Sequence, residues 1–131
     1  MIKQSIAALG LSMGLAALAG CSTVKPVDNV EKHPVPKGLS AKQVSRSIKH
    51  AAESKGWNAT KVRPGLITAD ITVRQHYAKV KIPYSSRSYS ILYDGSKNLE
   101  AKDGHIHRNY NKWVILLDKR IHENLKRATM R

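Results

Sequence analysis

The sequence holds one cysteine, no phenylalanine and only nine acidic residues among 131. A single cysteine excludes an intrachain disulfide and a multi-thiolate metal site, so stability must come from packing. The aromatic residues are five tyrosines and two tryptophans. Scarce acid leaves 23 Lys and Arg against nine Asp and Glu, a formal net charge of +14. Also missing are a nucleophile-elbow serine, a carboxylate pair suited to acid–base work, and internal repeats. Hydrolytic catalysis has no motif to stand on.

What is present begins with Lys3 and an apolar, Ala- and Gly-rich run from Ile6 to Ala19. Its roughly 14 residues fall short of the ~20 that span a bilayer core. A charged start, apolar middle and small-residue end match an exported segment. The run ends in Leu18-Ala19-Gly20-Cys21, which resembles the lipobox of bacterial lipoproteins. That resemblance implies cleavage before Cys21, a diacylglyceryl thioether on its sulfur, and N-acylation. One acyl chain holds a protein to a membrane reversibly, whereas three make release negligible. The alternatives are a secretory signal cut elsewhere and a short membrane helix. Ser22 stands where an inner-membrane retention signal in enterobacteria places Asp, so the resemblance further implies the outer membrane, with the domain on the periplasmic face.

The organisation expected is a signal segment over 1–20, an acylated Cys21 with a flexible tether over 21–38, and one α+β domain over 39–131. Loss of Lys3 with the signal leaves a mature formal charge of +13, one less than the whole chain. So basic a chain prompts a nucleic-acid reading, but export argues against nucleic acid as a partner. The anions that an envelope offers are phospholipid headgroups, the carboxylates of peptidoglycan, and lipopolysaccharide. Each Lys or Arg close to an anionic membrane contributes about 1 kcal/mol, screened by salt. Dispersed cations that merely keep the domain soluble are the competing account.

Pro26, Pro34, Pro36 and Gly38, with few apolar neighbours, suggest the tether. Its 17 positions after Cys21 would reach about 55 Å at ~3.3 Å each. Ser40 with Gln43 is a capping-box pattern, and Leu39 with Val44 has hydrophobic-staple spacing. Val44, Ile48, Ala51 and Ala52 then form an apolar stripe that stops at Gly56, predicting a helix of about 15 residues. Its other face carries Lys42, Arg46, Lys49 and Lys55.

From Trp57 the period changes to 2. Strands are expected over 57–62, 66–73, 77–83 and 89–93, with Arg63-Pro64-Gly65 as a turn. Residues 95–104 read as a loop flanked by Asp94-Gly95 and Asp103-Gly104. A long helix from about His105 to Arg127 follows, in register through Ile106, Tyr110, Trp113, Val114, Leu117, Ile121 and Leu125. The expected fold is two-layer α+β: a four-stranded, mainly antiparallel sheet with two helices on one face, in the order α-β-β-β-β-α.

Ser96-Lys97-Asn98-Leu99 and the run Ile106-His107-Arg108-Asn109-Tyr110-Asn111-Lys112-Trp113 also carry a resemblance. With Gly56-Trp57, Pro64-Gly65-Leu66-Ile67 and Val73-Arg74-Gln75-His76, the chain from Leu39 to about Leu125 resembles a family of small Gram-negative envelope lipoproteins of unassigned function. That resemblance implies no catalytic residue and no cofactor beyond the lipid on Cys21.

Two places can carry recognition. Near the start of the last helix, His107 and Asn111 stand four apart, after a loop with Ser96 and Asn98. Together with Tyr110 they form either a polar clasp fastening loop to helix or a small-ligand or enzyme site. His105 and His107 are two apart, a poor spacing for helical metal ligands, and no acidic cluster or further cysteine completes a site, so no metal is expected. On the outer sheet face, Tyr77, Lys79 and Lys81 offer a binding surface, beside Thr68, Asp70, Thr72, Ser90 and Leu92. The function expected is a non-enzymatic, lipid-anchored accessory that binds an anionic envelope component or an envelope protein; the alternative is a site at the 96–111 junction. Radiolabelled palmitate is expected on the wild-type chain and absent from Cys21→Ser, as read by autoradiography.

Overall fold

Ser40 opens the first helix as its spacing predicts. In the computed structural model, which describes residues 23–131, the Ser40 hydroxyl accepts from the Gln43 amide at 3.1 Å, and the Gln43 side chain accepts from the Ser40 amide at 2.8 Å. Helix α1 (Ala41–Ser54) buries Val44, Ile48, Ala51 and Ala52 completely. It ends in a Schellman motif: the Trp57 amide bonds to Ala52 O and the Gly56 amide to Glu53 O, with Gly56 at φ 88°. The signal segment 1–20 and Cys21 lie outside the described residues.

Strands β3 (Asn58–Arg63), β4 (Leu66–Val73), β5 (His76–Pro83) and β6 (Ser88–Lys97) follow. They come after β1 (Val24–Pro26) and β2 (Val30–Pro34) and before β7 (His105–His107) and helix α2 (Arg108–Ala128). The main sheet is antiparallel, ordered β2-β6-β5-β4-β3, and β1 pairs only with β7. Alternation settles the faces. Ile67, Ala69, Ile71, Ala78, Val80, Ile82, Tyr89 and Ile91 are buried on one face, while their neighbours on the other are half-buried or exposed. The two helices cover the buried face. They run antiparallel to each other, with Asn124 bonded to Ser47 O at 3.3 Å and Arg120 to the Ser54 hydroxyl at 3.0 Å.

The two-layer α+β expectation holds, but the sheet has five strands rather than four, and a second sheet of two strands sits beside it. The difference comes from the expected tether. From Val24 to Pro34 the chain is mostly strand: β1 lies along β7, and β2 lies along β6. Its prolines are compatible with pairing because Pro26 and Pro34 close their strands, and both strands are edges that need no donor there. A bulge between Val30 and His33 puts Lys32 at φ 48°, and its amide bonds to the Ser90 hydroxyl at 2.9 Å.

Two boundaries also move. Asp94-Gly95 is a bulge within β6 rather than the start of a loop: the register slips between Ala78 and Val80, Gly95 takes φ 132°, and the strand continues to Lys97. Asp103-Gly104 does turn the chain, with φ of 51° and 75° as a type I′ hairpin needs. The residues after it are strand, because Ile106 faces Lys25 across the β1–β7 pair, so α2 starts at Arg108 instead of His105.

Leu117 on α2 is fully buried, whereas Ile115 is 56% exposed. Leu117→Ala should lower the unfolding free energy by about 2–5 kcal/mol, and Ile115→Ala should change it by about 0.5 kcal/mol or less. Urea denaturation measures both.

Candidate functional site

The 96–111 junction is held together by its own hydrogen bonds. His107 caps α2, its Nδ1 accepting from the Asn109 amide at 3.1 Å. Asn111, one turn on, donates to Pro26 O at 2.9 Å and accepts from the Asp28 amide at 3.0 Å. The segment it clasps is therefore the one around β1, not the 96–98 loop. Asn98, at φ 59°, donates to Gln75 O at 2.7 Å, and its carbonyl lies 2.7 Å from His76 Nδ1. These bonds fasten Asn98 to the β4–β5 turn, where Arg74 is left-handed at φ 57°. The Ser96 and Tyr93 hydroxyls share a hydrogen bond of 2.7 Å.

Of the expected five, His107 reaches a neighbour unforeseen: its ring stacks at 6.2 Å on His76. Tyr110 lies beneath, fully buried, with the Tyr93 ring edge-on at 5.5 Å. Burial, then the neighbouring Tyr93, raises the Tyr110 phenol well above its ordinary range. Its hydroxyl has no hydrogen-bond partner among the described residues. The polar groups of Asn98, His107 and Asn111 thus bond to the chain's own backbone, but none of these side-chain bonds joins the 96–98 loop to α2.

The outer sheet face keeps Tyr77, Lys79 and Lys81 on neighbouring positions of β5. Its charge is partly matched. Asp94 lies 3.9 Å from Lys79 Nζ and 3.8 Å from Lys81 Nζ, and Lys97 sits 5.8 Å from the centre of the Tyr77 ring.

A different basic surface lies between the helices. Antiparallel packing brings the first half of α1 against the end of α2 and leaves a groove of about 280 Å³, lined by Gln43, Arg46, Ser47, His50, Asn124, Arg127, Ala128 and Arg131. Three arginines, a histidine and three residues with amide or hydroxyl groups are among its lining. No Asp or Glu lines it. A guanidinium presents planar, paired N–H donors, which suit phosphate and carboxylate oxygens. Arg46 was legible as part of the basic face of α1, whereas His50, one turn on, was not singled out. Their meeting with Arg127 and Arg131 depends on how the helices pack.

Comparison with known proteins found no matching family model, no matching curated protein and no matching solved structure.

A second cluster also went unforeseen. Asp118 Oδ1 accepts from the Tyr89 hydroxyl at 2.5 Å and lies 2.8 Å from His33 Nδ1. The His33 ring stacks on both Tyr89 and His122, at 5.1 and 4.8 Å. Burial, and then the Asp118 carboxylate, raise the Tyr89 phenol far above its usual range, so it stays a neutral donor. The one local signal for this cluster in the sequence is that Asp118 and His122 stand four apart on α2; His33 fell in the expected tether. It fastens β2 to α2. Among the described residues, no group of three or more His, Cys, Asp or Glu is placed to hold a metal.

If Asn111 is a clasp, Asn111→Ala should cost about 1–2 kcal/mol and speed amide exchange over residues 24–28. Amides of β4 and β5 should keep their protection, as read by hydrogen–deuterium exchange.

Proposed function

We propose that this protein is an exported, lipid-anchored, non-enzymatic accessory of the Gram-negative envelope, which binds an anionic envelope component in the groove between α1 and α2. The anchor is Cys21, acylated as its lipobox-like context implies. The membrane proposed is the outer one, with the domain on its periplasmic side. The binding component rests on one observation: Arg46, His50, Arg127 and Arg131 line one groove that has no Asp or Glu among its lining residues. None of these arginines is in an ion pair among the described residues.

Charged groups at such a surface steer and hold anions through a field that falls off within a Debye length. The ligand chemistry is that of phosphate or carboxylate oxygens, as on phospholipid headgroups, lipopolysaccharide or peptidoglycan. The outer sheet face is the weaker candidate because Asp94 already answers its lysines. The 96–111 junction is weaker still, since its side chains are committed to backbone groups.

Detergent-solubilised protein should be retained on immobilised lipopolysaccharide, peptidoglycan sacculi or short-chain phosphatidylglycerol, and released as salt rises. Arg46→Ala combined with Arg127→Ala should weaken that retention about tenfold, or ~1.4 kcal/mol. Lys79→Ala with Lys81→Ala should change it far less. Indifference to all three anions at low salt, or equal binding by the groove variant, would overturn the proposal.

A further inference from the structure

The chain is fixed to the domain from Thr23 onward. Thr23 O accepts from the Arg108 amide at 2.9 Å, at the very start of α2, and the Val27 amide bonds to Gly104 O at 2.8 Å. Between them β1 is paired along β7, and Asn111 grips the backbone on either side of Val27. Only Ser22 separates Cys21 from Thr23 in sequence. Two residues extend at most about 7 Å. A lipid on Cys21 therefore enters the membrane beside the first turn of α2, not at the end of a long leash.

The outward stripe of α2 begins at that same place. Arg108, Lys112, Ile115, Leu116 and Lys119 are all exposed, and their spacing puts them on the side opposite the buried Tyr110, Val114, Leu117, Ile121 and Leu125. Ile115 and Leu116 are 56% and 40% exposed, two of the four large apolar side chains so exposed among the described residues. The acid of this stretch, Asp118, is turned towards His33 and Tyr89. Two apolar side chains flanked by cations are the composition of a surface that rests in an anionic headgroup layer.

We infer that the Arg108–Lys119 face of α2 lies against the anionic phospholipid leaflet that holds the acyl chains of Cys21. The inference rests on the anchoring part of the function proposed above and is independent of the groove.

The test uses the full-length acylated protein, whose own cysteine is blocked as a thioether. Leu116→Cys or, on the outer sheet face, Thr72→Cys carries a fluorophore in vesicles of phosphatidylethanolamine and phosphatidylglycerol. A nitroxide on the lipid headgroup should quench the label at 116 several-fold more than the label at 72. Adding Lys112→Glu and Lys119→Glu should reduce that difference. An acylated chain quenched equally at both positions, or more at 72, overturns this inference alone. Disulfide dimers formed by the unlabelled Leu116→Cys protein on the same vesicles under a mild thiol oxidant, with the labelled protein unquenched, assign the patch to a second copy and overturn it too. A chain that takes up no palmitate overturns both this inference and the proposed anchoring, whereas loss of anion binding with quenching preserved overturns only the groove.

Discussion

One face of the five-stranded sheet has to be removed from water, and the arrangement of the molecule follows from how that is done. A single helix about 10 Å wide cannot cover sheet strands ~4.8 Å apart across five positions. Two helices can, and laid antiparallel they leave a seam. Their inner stripes, Val44-Ile48-Ala51-Ala52 and Val114-Leu117-Ile121-Leu125, take up the apolar residues, so the cations of both helices are left outside. The groove is the seam seen from solvent. Its depth comes partly from what packs at the contact: Ser47, buried against α2, and Ala128, half-buried, are small.

The same constraint explains why the N-terminal segment is sewn down. With no disulfide to draw on, the margin of stability rests on packing and on satisfied backbone groups. An uncovered β6 edge would leave a row of unpaired groups beside the buried Tyr89 and Ile91. Strand β2 supplies the partners, and the His33–Asp118–Tyr89 contacts hold it from the helical side. At the other end, β7 is only three residues long and is flanked by left-handed Asp103 and Gly104. It keeps its strand form because β1 supplies a ladder along its whole length. Neither short strand could persist alone.

Much of this was legible from local chemistry. Ser40 and Gln43 mark a helix start that depends on nothing distant, Gly56 marks its end, and the alternation of Ile67 to Val73 assigns a face without reference to a partner. What could not be read is what long-range pairing decides. Val24-Lys25-Pro26 and Val30-Glu31-Lys32-His33-Pro34 have neither the length nor the apolar content to declare themselves; they are strands because β7 and β6 offer edges. Asp94-Gly95 satisfies the rule for a turn and the rule for a bulge equally, and only the register against Ala78 and Val80 separates them. His105 and Ile106 continue the helical period of α2, yet their backbone pairs across the chain. Of the candidate site, His107 and Asn111 were identifiable as polar groups at a helix start. The segment that Asn111 holds was not, because it belonged to the stretch taken for a tether.

Charge asks to be treated in the same way, by position rather than in total. A formal +14 says that anions are attracted, not where they are held. The carboxylates decide that. Asp94 stands between Lys79 and Lys81 on the sheet, Asp118 is spent on His33 and Tyr89, Glu123 lies 3.4 Å from Arg120, and Asp70 accepts from Asn58. Each lowers the local field where it sits, and exposed pairs of this kind add little to stability. Their effect is to leave the groove at the Gln43 and Arg131 end of the α1–α2 seam without an Asp or Glu in its lining. Scarce acid, placed on the sheet and on the flank of α2, therefore does more to define the anion-binding surfaces than the abundant base does.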